Sequence, residues 1–314
     1  MAPNEASPLL TPGARIQVGA AILAVNGQRV EPTRGLGPLL ANQAGAPVEL
    51  TVADPVATPG PSSTSAKDRG WDPPRRVVVP TLADERSLRY RDWVGTNRQK
   101  VLDTTGSQAG YLHIPDMGPR GWSEFHRSYL SEMERDALVV DVRFNGGGHV
   151  SGLILEKLAR RRIGWDVPRR GAPVPYPREA PVGPLVLVTN DLAGSDGDIF
   201  THGWRMLGLG PVVGTRTWGG VIGIEANQRL VDGSLTTQPE YAFWFDDVGW
   251  GVENVGAFPE EEVLYSPQDY AVERDPQLDR AIELVAEALA HHHLVRPDID
   301  RRPTKPLPVL PPRS

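Results

Sequence analysis

Short apolar runs alternate along this chain with segments of helical periodicity. In RIQVGAAILAVNGQRV (15–30), Ile22, Leu23 and Val25 fall on strand positions, and Asn26-Gly27 is the dipeptide preferred in a two-residue hairpin turn. PVELTV (47–52) and RRVVVPTL (75–82) read as further strands. Between them, the Pro/Ser/Gly-rich stretch ATPGPSSTSAKDRGWDPP (57–74) predicts a disordered loop. Residues 1–85 therefore predict a small β-rich domain. Downstream, GYLHIPDM (110–117), ALVVDV (137–142) and PLVLVT (184–189) read as strands. Trp122, Phe125, Tyr129 and Met133 recur at helical spacing, and Val150–Arg161 and Ser195–Leu207 predict two more helices. QRLVDGSLTTQ forms a hairpin around Asp232-Gly233. Asp275-Pro276 caps a last helix with Leu278, Ile282, Val285 and Leu289 on one face. The final stretch, Leu294–Ser314, holds six prolines and several arginines and predicts a disordered tail.

Strands alternating with helices over residues 86–293 predict an α/β domain, a parallel or mixed sheet with flanking helices. At 314 residues and 39% apolar content the chain can bury a sizeable core. A formal charge of −6 argues against a nucleic-acid partner. No apolar run reaches the ~18 residues of a membrane span, and the N-terminus lacks the pattern of a signal peptide, so no membrane partner and a cytoplasmic location are expected. The absence of cysteine excludes thiolate catalysis and Cys-ligated metal; no metal or cofactor is expected.

Chemistry concentrates at two strand–loop–helix junctions, ALVVDVRFNGGGHVSGLILEKLARR (137–161) and GPLVLVTNDLAGSDGDIFTHGWRML (183–207). The first offers bare amides at Gly146, Gly147 and Gly148. The second places Ser195 at a helix mouth, either as a nucleophile above the sheet edge or as an ordinary N-cap. Ala193 stands where the nucleophile-elbow signature has its first glycine, which weakens an α/β-hydrolase reading. The glycine loop lacks the Lys-Ser/Thr ending of a phosphate cradle. Glu253 in GWGVENVG is a site residue or a capping acid. Of the seven histidines, His113, His126, His149, His202 and His291–His293, none has the placement of a general base, and each reads as structural.

GAAILAVNGQRV (19–30) is similar to the strand-turn-strand of PDZ domains, one truncated at its start, since 14 residues precede the hairpin. GYLHIPDM, VVDVRFNGGGHVS, LVTNDLAGSDGD, TWGGVIGI, RLVDGSLTTQPE and WGVENVG together resemble the tricorn family of serine peptidases, related to the carboxyl-terminal processing peptidases. The resemblance spans residues 110–265 and implies a crotonase/ClpP-like mixed-sheet core. It implies Ser195 as nucleophile, the amides of Gly148 and Asp196 as oxyanion hole, and Glu253 as the acid of a Ser-His-Ser-Glu tetrad. Gly147 and Asp166 would contact substrate, Asp166 favouring basic P1 residues. Peptides are the implied substrates, and the parent protein an implied homo-oligomer. The family carries its base histidine upstream of the PDZ domain, so this chain reads as a C-terminal fragment, nearly inactive by itself. Two other classes compete. One is a peptide-binding scaffold acting by strand addition. The other is a crotonase-like acyl-CoA enzyme, for which the sequence offers no CoA site.

Overall fold

The computed structural model describes residues 7–55, 70–293, 295–303 and 307, which fall into two compact units, residues 1–95 and 96–314. No helix among the described residues is long and apolar enough to cross a membrane.

The first unit holds a short 3-10 turn (Pro8–Leu10), β1 (Ala21–Val25), β2 (Gln28–Arg29), α1 (Gly37–Leu40), β3 (Pro47–Ala53) and β4 (Arg75–Pro80). The strands form one antiparallel sheet in the order β2-β1-β3-β4. Asn26 and Gly27 both take positive φ, +47° and +76°, as a two-residue hairpin turn matching the strand twist requires. Alternation then decides the core: Val48, Leu50 and Val52 of β3 and Val77 and Val79 of β4 point inward against Ala14, Ile16 and Val25. Most of the expected loop 57–74 lies outside the described residues, and its end is tied down. Residues 56–69 lie outside the described residues, but Trp71 bridges to Pro55 and the Asp72 N–H donates to the Asp54 carbonyl. Asp54 supplies the reason: its carboxylate takes the Gln17 N–H (3.1 Å) and pairs with Arg75 (2.8 Å), which fixes both ends of the segment.

The division between the units falls inside α2 (Arg86–Thr104), a helix the apolar pattern did not announce because it buries few apolar residues, Val94 and Val101 among them. The second unit continues with β5 (Ala109–His113), α3 (Pro119–Glu132), β6 (Ala137–Asp141), α4 (Ser151–Leu158), β7 (Gly164–Asp166), β8 (Val174–Tyr176) and β9 (Leu185–Thr189). Then come α5 (Asp196–Met206), β10 (Val212–Gly214), β11 (Gly223–Arg229), β12 (Leu235–Tyr241), β13 (Glu261–Glu262), α6 (Pro267–Ala271) and α7 (Pro276–His291). The α/β class holds. Within it the five-stranded sheet, ordered β13-β10-β9-β6-β5, is parallel throughout, and antiparallel pairs are confined to the ribbons β7–β8 and β11–β12.

β5, β6 and β9 are buried at every position, which is why they read as unbroken apolar runs. On one face Leu138, Val140, Leu185 and Leu187 pack with Phe125 and Tyr129 of α3, Ile154 of α4 and Trp204 of α5. α7 packs on β6, β9 and β10 through Leu278, Ala281, Ile282 and Val285. Its start is as expected: Asp275 accepts the Leu278 N–H (3.0 Å) and Pro276 opens the helix.

A charged cluster that the apolar reading of ALVVDV concealed joins α7 to the sheet. Arg143, 1% exposed, pairs with Asp141 at the end of β6 (2.7 Å) and with the α7 cap Asp275 (2.8 Å). The Tyr111 hydroxyl donates to Asp141 (2.9 Å). Burial acts to raise the Asp141 carboxyl, but the Arg143 guanidinium outweighs it and holds the group below the usual aspartate range. Part of the expected disordered tail makes contacts with the rest of the second unit. The Val295 carbonyl accepts the Trp165 indole N–H (3.1 Å) and Arg296 pairs with Asp136 (3.2 Å). Those partners lie far back in the chain, where the composition of the tail could not reveal them. Residues 294, 304–306 and 308–314 lie outside the described residues.

Candidate active site

In a parallel sheet every strand delivers its following loop to the same edge, so the loops after β6 and β9 meet at the carboxyl ends of their strands. Asn145, fully buried, fastens them together. Its amide donates to the Ile114 carbonyl (2.8 Å), its Oδ1 accepts the Gly147 N–H (2.9 Å), and its backbone carbonyl accepts the Gly194 N–H (3.0 Å). Gly148 has φ +152°, and a Cβ there would lie 2.0 Å from the Met117 carbonyl oxygen, so only glycine fits against that strand extension.

Ser195 stands at the head of α5 with φ +56° and ψ −119° and makes no capping hydrogen bond. The N-cap alternative therefore fails: the serine occupies the cap position without performing the cap's work. A non-glycine residue in this region costs about 1–3 kcal/mol and persists only where its surroundings impose it. The surroundings here include Gly147, where a Cβ would come within 2.6 Å of the Ser195 Cβ and 3.1 Å of its Oγ. The Gly147 N–H and carbonyl are both engaged, by Asn145 and by the Met117 N–H, so what Gly147 gives the site is clearance for the serine. Among the described residues the N–H groups of Gly148 and Asp196 have no hydrogen-bond acceptor.

The Asp196 carboxylate accepts the Ser151 N–H (3.0 Å) and the Ser151 hydroxyl, which ties the first turn of α4 to the first turn of α5. Beside Ser195 opens a cavity of about 450 Å³ walled by Leu155, Ile199, Val221, Tyr241 and Phe243. The Tyr241 hydroxyl lies 3.2 Å from His149 Nδ1, and both residues line this cavity.

Glu253 does not bond to the serine. Its Oε2 accepts the N–H groups of Val221 (2.7 Å) and Ile222 (2.8 Å) in the segment that follows β10. Asp198, which the sequence reading missed, takes the Gly219 N–H (2.8 Å) of the same segment. Its Oδ2 is buried without a hydrogen-bond partner. Burial pushes its carboxyl above the usual aspartate range, and the Gly219 amide offsets this only in part. An acid in the first turn of a helix ordinarily just complements the helix dipole, so its letter carried no distinguishing signal.

No histidine bonds to the Ser195 hydroxyl among the described residues. His113 Nε2 meets the Arg143 carbonyl (2.8 Å), His126 Nδ1 the Trp122 carbonyl (3.0 Å) and His202 Nε2 the Asp247 carboxylate (3.0 Å). Ser195, Asp196, Gly147 and Gly148 are thus brought together, with Glu253 joined to them through the 217–222 segment. Asp166 is not: it lies exposed on β7 and does not line the cavity.

The pattern of peptidase family S41 matches residues 108–263, and that of the tricorn protease PDZ domain matches residues 1–59. Tricorn protease homolog 1 of Streptomyces coelicolor is 51% identical over 309 residues, covering 98% of this chain and 27% of that protein. The tricorn protease of Thermoplasma acidophilum is 52% identical over 215 residues, 68% of this chain and 20% of that protein. The crystal structure of the tricorn protease superposes with a TM-score of 0.83 at 42% identity, covering 92% of this chain and 27% of that one. The chain thus spans about a quarter of the length of the curated relatives it matches. With its PDZ segment, its S41 segment and a fold that follows the tricorn protease over nearly its whole length, the chain belongs to the tricorn branch of peptidase family S41.

Proposed function

We propose that this chain carries the nucleophile and oxyanion hole of a serine peptidase that cleaves oligopeptides through a Ser195 acyl-enzyme. The observation that carries the reading is the strained, uncapped Ser195 held against a glycine loop, beside two N–H groups without acceptors. The Ser195 Oγ attacks the scissile carbonyl carbon while its proton passes to a general base. The oxyanion that forms accepts hydrogen bonds from the Gly148 and Asp196 N–H groups. Collapse breaks the C–N bond, the base returns its proton to the leaving amine, and water then hydrolyses the ester by the same steps.

The base is a histidine from outside residues 1–314: His113, His126 and His202 are bonded elsewhere, His149 on the cavity wall meets the Tyr241 hydroxyl and not the serine, and the rest stand at the end of α7. Glu253 keeps Oε1 for the residue that orients that histidine. Asp166, exposed and away from this cavity, serves the cleft of a neighbouring subunit in a homo-oligomer and favours Arg or Lys at P1, where a guanidinium pairs well with a carboxylate.

The test is to assay fluorogenic peptides with Arg at P1, using residues 1–314 alone and together with the His-bearing segment of the parent protein. Turnover is expected only with the second segment and is abolished by Ser195→Ala. Turnover by the chain alone, lost in Ser195→Ala, places the base within it. Turnover that survives Ser195→Ala removes the acyl-enzyme.

A further inference from the structure

Two carboxylates from opposite sides hold one short stretch of backbone. From α5, Asp198 Oδ1 takes the Gly219 N–H at 2.8 Å, in a fully buried bond. From the turn around residue 253, Glu253 Oε2 takes the Val221 and Ile222 N–H groups. The stretch lies hard on that turn: the Gly219 carbonyl accepts the Asn254 N–H (2.6 Å), and a Cβ on Gly219, whose φ is +95°, would fall 2.9 Å from the Gly256 nitrogen. It lies equally hard on the serine loop, since the Trp218 N–H donates to the Ala193 carbonyl (2.9 Å) and the Trp218 ring covers Gly194.

Asp198 is fully buried, forms no salt bridge among the described residues, and leaves Oδ2 without a partner. The nearby Arg216 directs its guanidinium at the Thr217 and Val255 carbonyls instead. A buried carboxylate kept without a cation is expensive, and a group kept at that cost calls for a role. Asp198 also sits three residues from Ser195 in the first turn of the same helix, so its position and that of the nucleophile move together.

We propose that Asp198 is a positioning residue that sets the separation of Ser195 and Glu253 through the 217–222 strap. The inference rests on the reading of those two residues as parts of one acyl-transfer site. Between the two acids run only hydrogen bonds and one residue of backbone, Gly220, so a shift at Asp198 passes directly to the amides that hold Glu253. The role belongs to geometry alone: Asp198 touches no reacting atom.

The test has a structural and a kinetic arm. Amide hydrogen exchange is measured residue by residue on the chain carrying Ser195→Ala, which separates the result from any question of catalysis. Asp198→Ala should lower the protection of Gly219, Val221 and Ile222 together, by about tenfold or more. By reciprocity, Glu253→Ala should unprotect Gly219 by a comparable factor. Loss at Gly219 alone in Asp198→Ala, or unchanged Gly219 protection in Glu253→Ala, overturns the proposal. If Asp198→Ala does not fold, the Glu253→Ala arm decides by itself. In the assembled peptidase, Asp198→Ala should lower kcat by about tenfold or more with KM nearly unchanged, and Asp198→Asn, which keeps the Oδ1 acceptor, should recover most of it. A rise in KM at constant kcat would make Asp198 a support of the cavity wall, and the proposal fails.

Discussion

The carboxylate of Asp196 accepts both the backbone N–H and the hydroxyl of Ser151, so the residue that follows Ser195 also anchors the helix that follows the glycine loop. In the proposed mechanism this contact helps to hold the Gly148 and Asp196 amides in register. Ser151→Ala removes a buried hydrogen bond to a charged group and should cost about 1.5–3 kcal/mol in urea denaturation. In the peptidase assembled with its His-bearing segment it should also slow the phosphonylation of Ser195 by a fluorophosphonate probe, which expels fluoride, because the two amides are no longer held in register. A variant that loses stability yet labels at the parent rate would show that this bond does not control the site.

Gly147→Ala tests whether the serine needs its clearance. The added Cβ meets Ser195, and a φ of +80° costs an L-residue about 1–2 kcal/mol by itself. Moderate destabilisation is expected together with a fall in Ser195 labelling of about 100-fold, the scale at which a displacement of roughly 1 Å is felt.

The positive φ of Ser195 should cost stability at that position. Ser195→Gly relieves the positive φ and should raise stability by about 1 kcal/mol relative to Ser195→Ala, which keeps the strain while both lack the hydroxyl. Equal melting temperatures for the two variants would mean that the strain is not stored at this residue.

Breaking the buried cluster at Arg143 should be severe. Asp275→Ala removes the α7 cap and one of the two carboxylates that pair with Arg143, and a cost of about 3–5 kcal/mol is expected. Because the pairs are shielded from solvent, the loss should be nearly the same at low and high salt, which chemical denaturation at two ionic strengths will show.

Acid should weaken the second unit through His113. Burial holds this imidazole below its usual value of 6.5, beside Asp141, Arg143 and Arg120, so the unfolded chain takes up a proton that the folded chain refuses. The contribution is complete above about pH 6.5 and is lost as the pH falls from there through the lowered folded value, at up to about 1.4 kcal/mol per pH unit. His113→Gln should flatten the stability profile between about pH 5 and 6.5, a window above the range in which carboxylates titrate. An unchanged slope would assign the acid sensitivity to other groups.

Strand and helix periods are local properties, and the letters carried them. The apolar runs at 137–142 and 184–189 became β6 and β9, Asn26-Gly27 became a hairpin turn, and Asp275-Pro276 became the cap of α7. The two junctions at the glycine loop and Ser195 were legible for the same reason, because a strand followed by glycines and then a helix is written in consecutive residues. The tertiary structure alone decided which polar groups are buried and what they meet. Asp198 and Gly219 are 21 residues apart, Asp196 and Ser151 45, and Arg143 and Asp275 132. An aspartate in a first helical turn looks the same in sequence whether it faces water or clamps a distant amide, since its letter fixes its charge and the packing of remote elements fixes its partner and its burial.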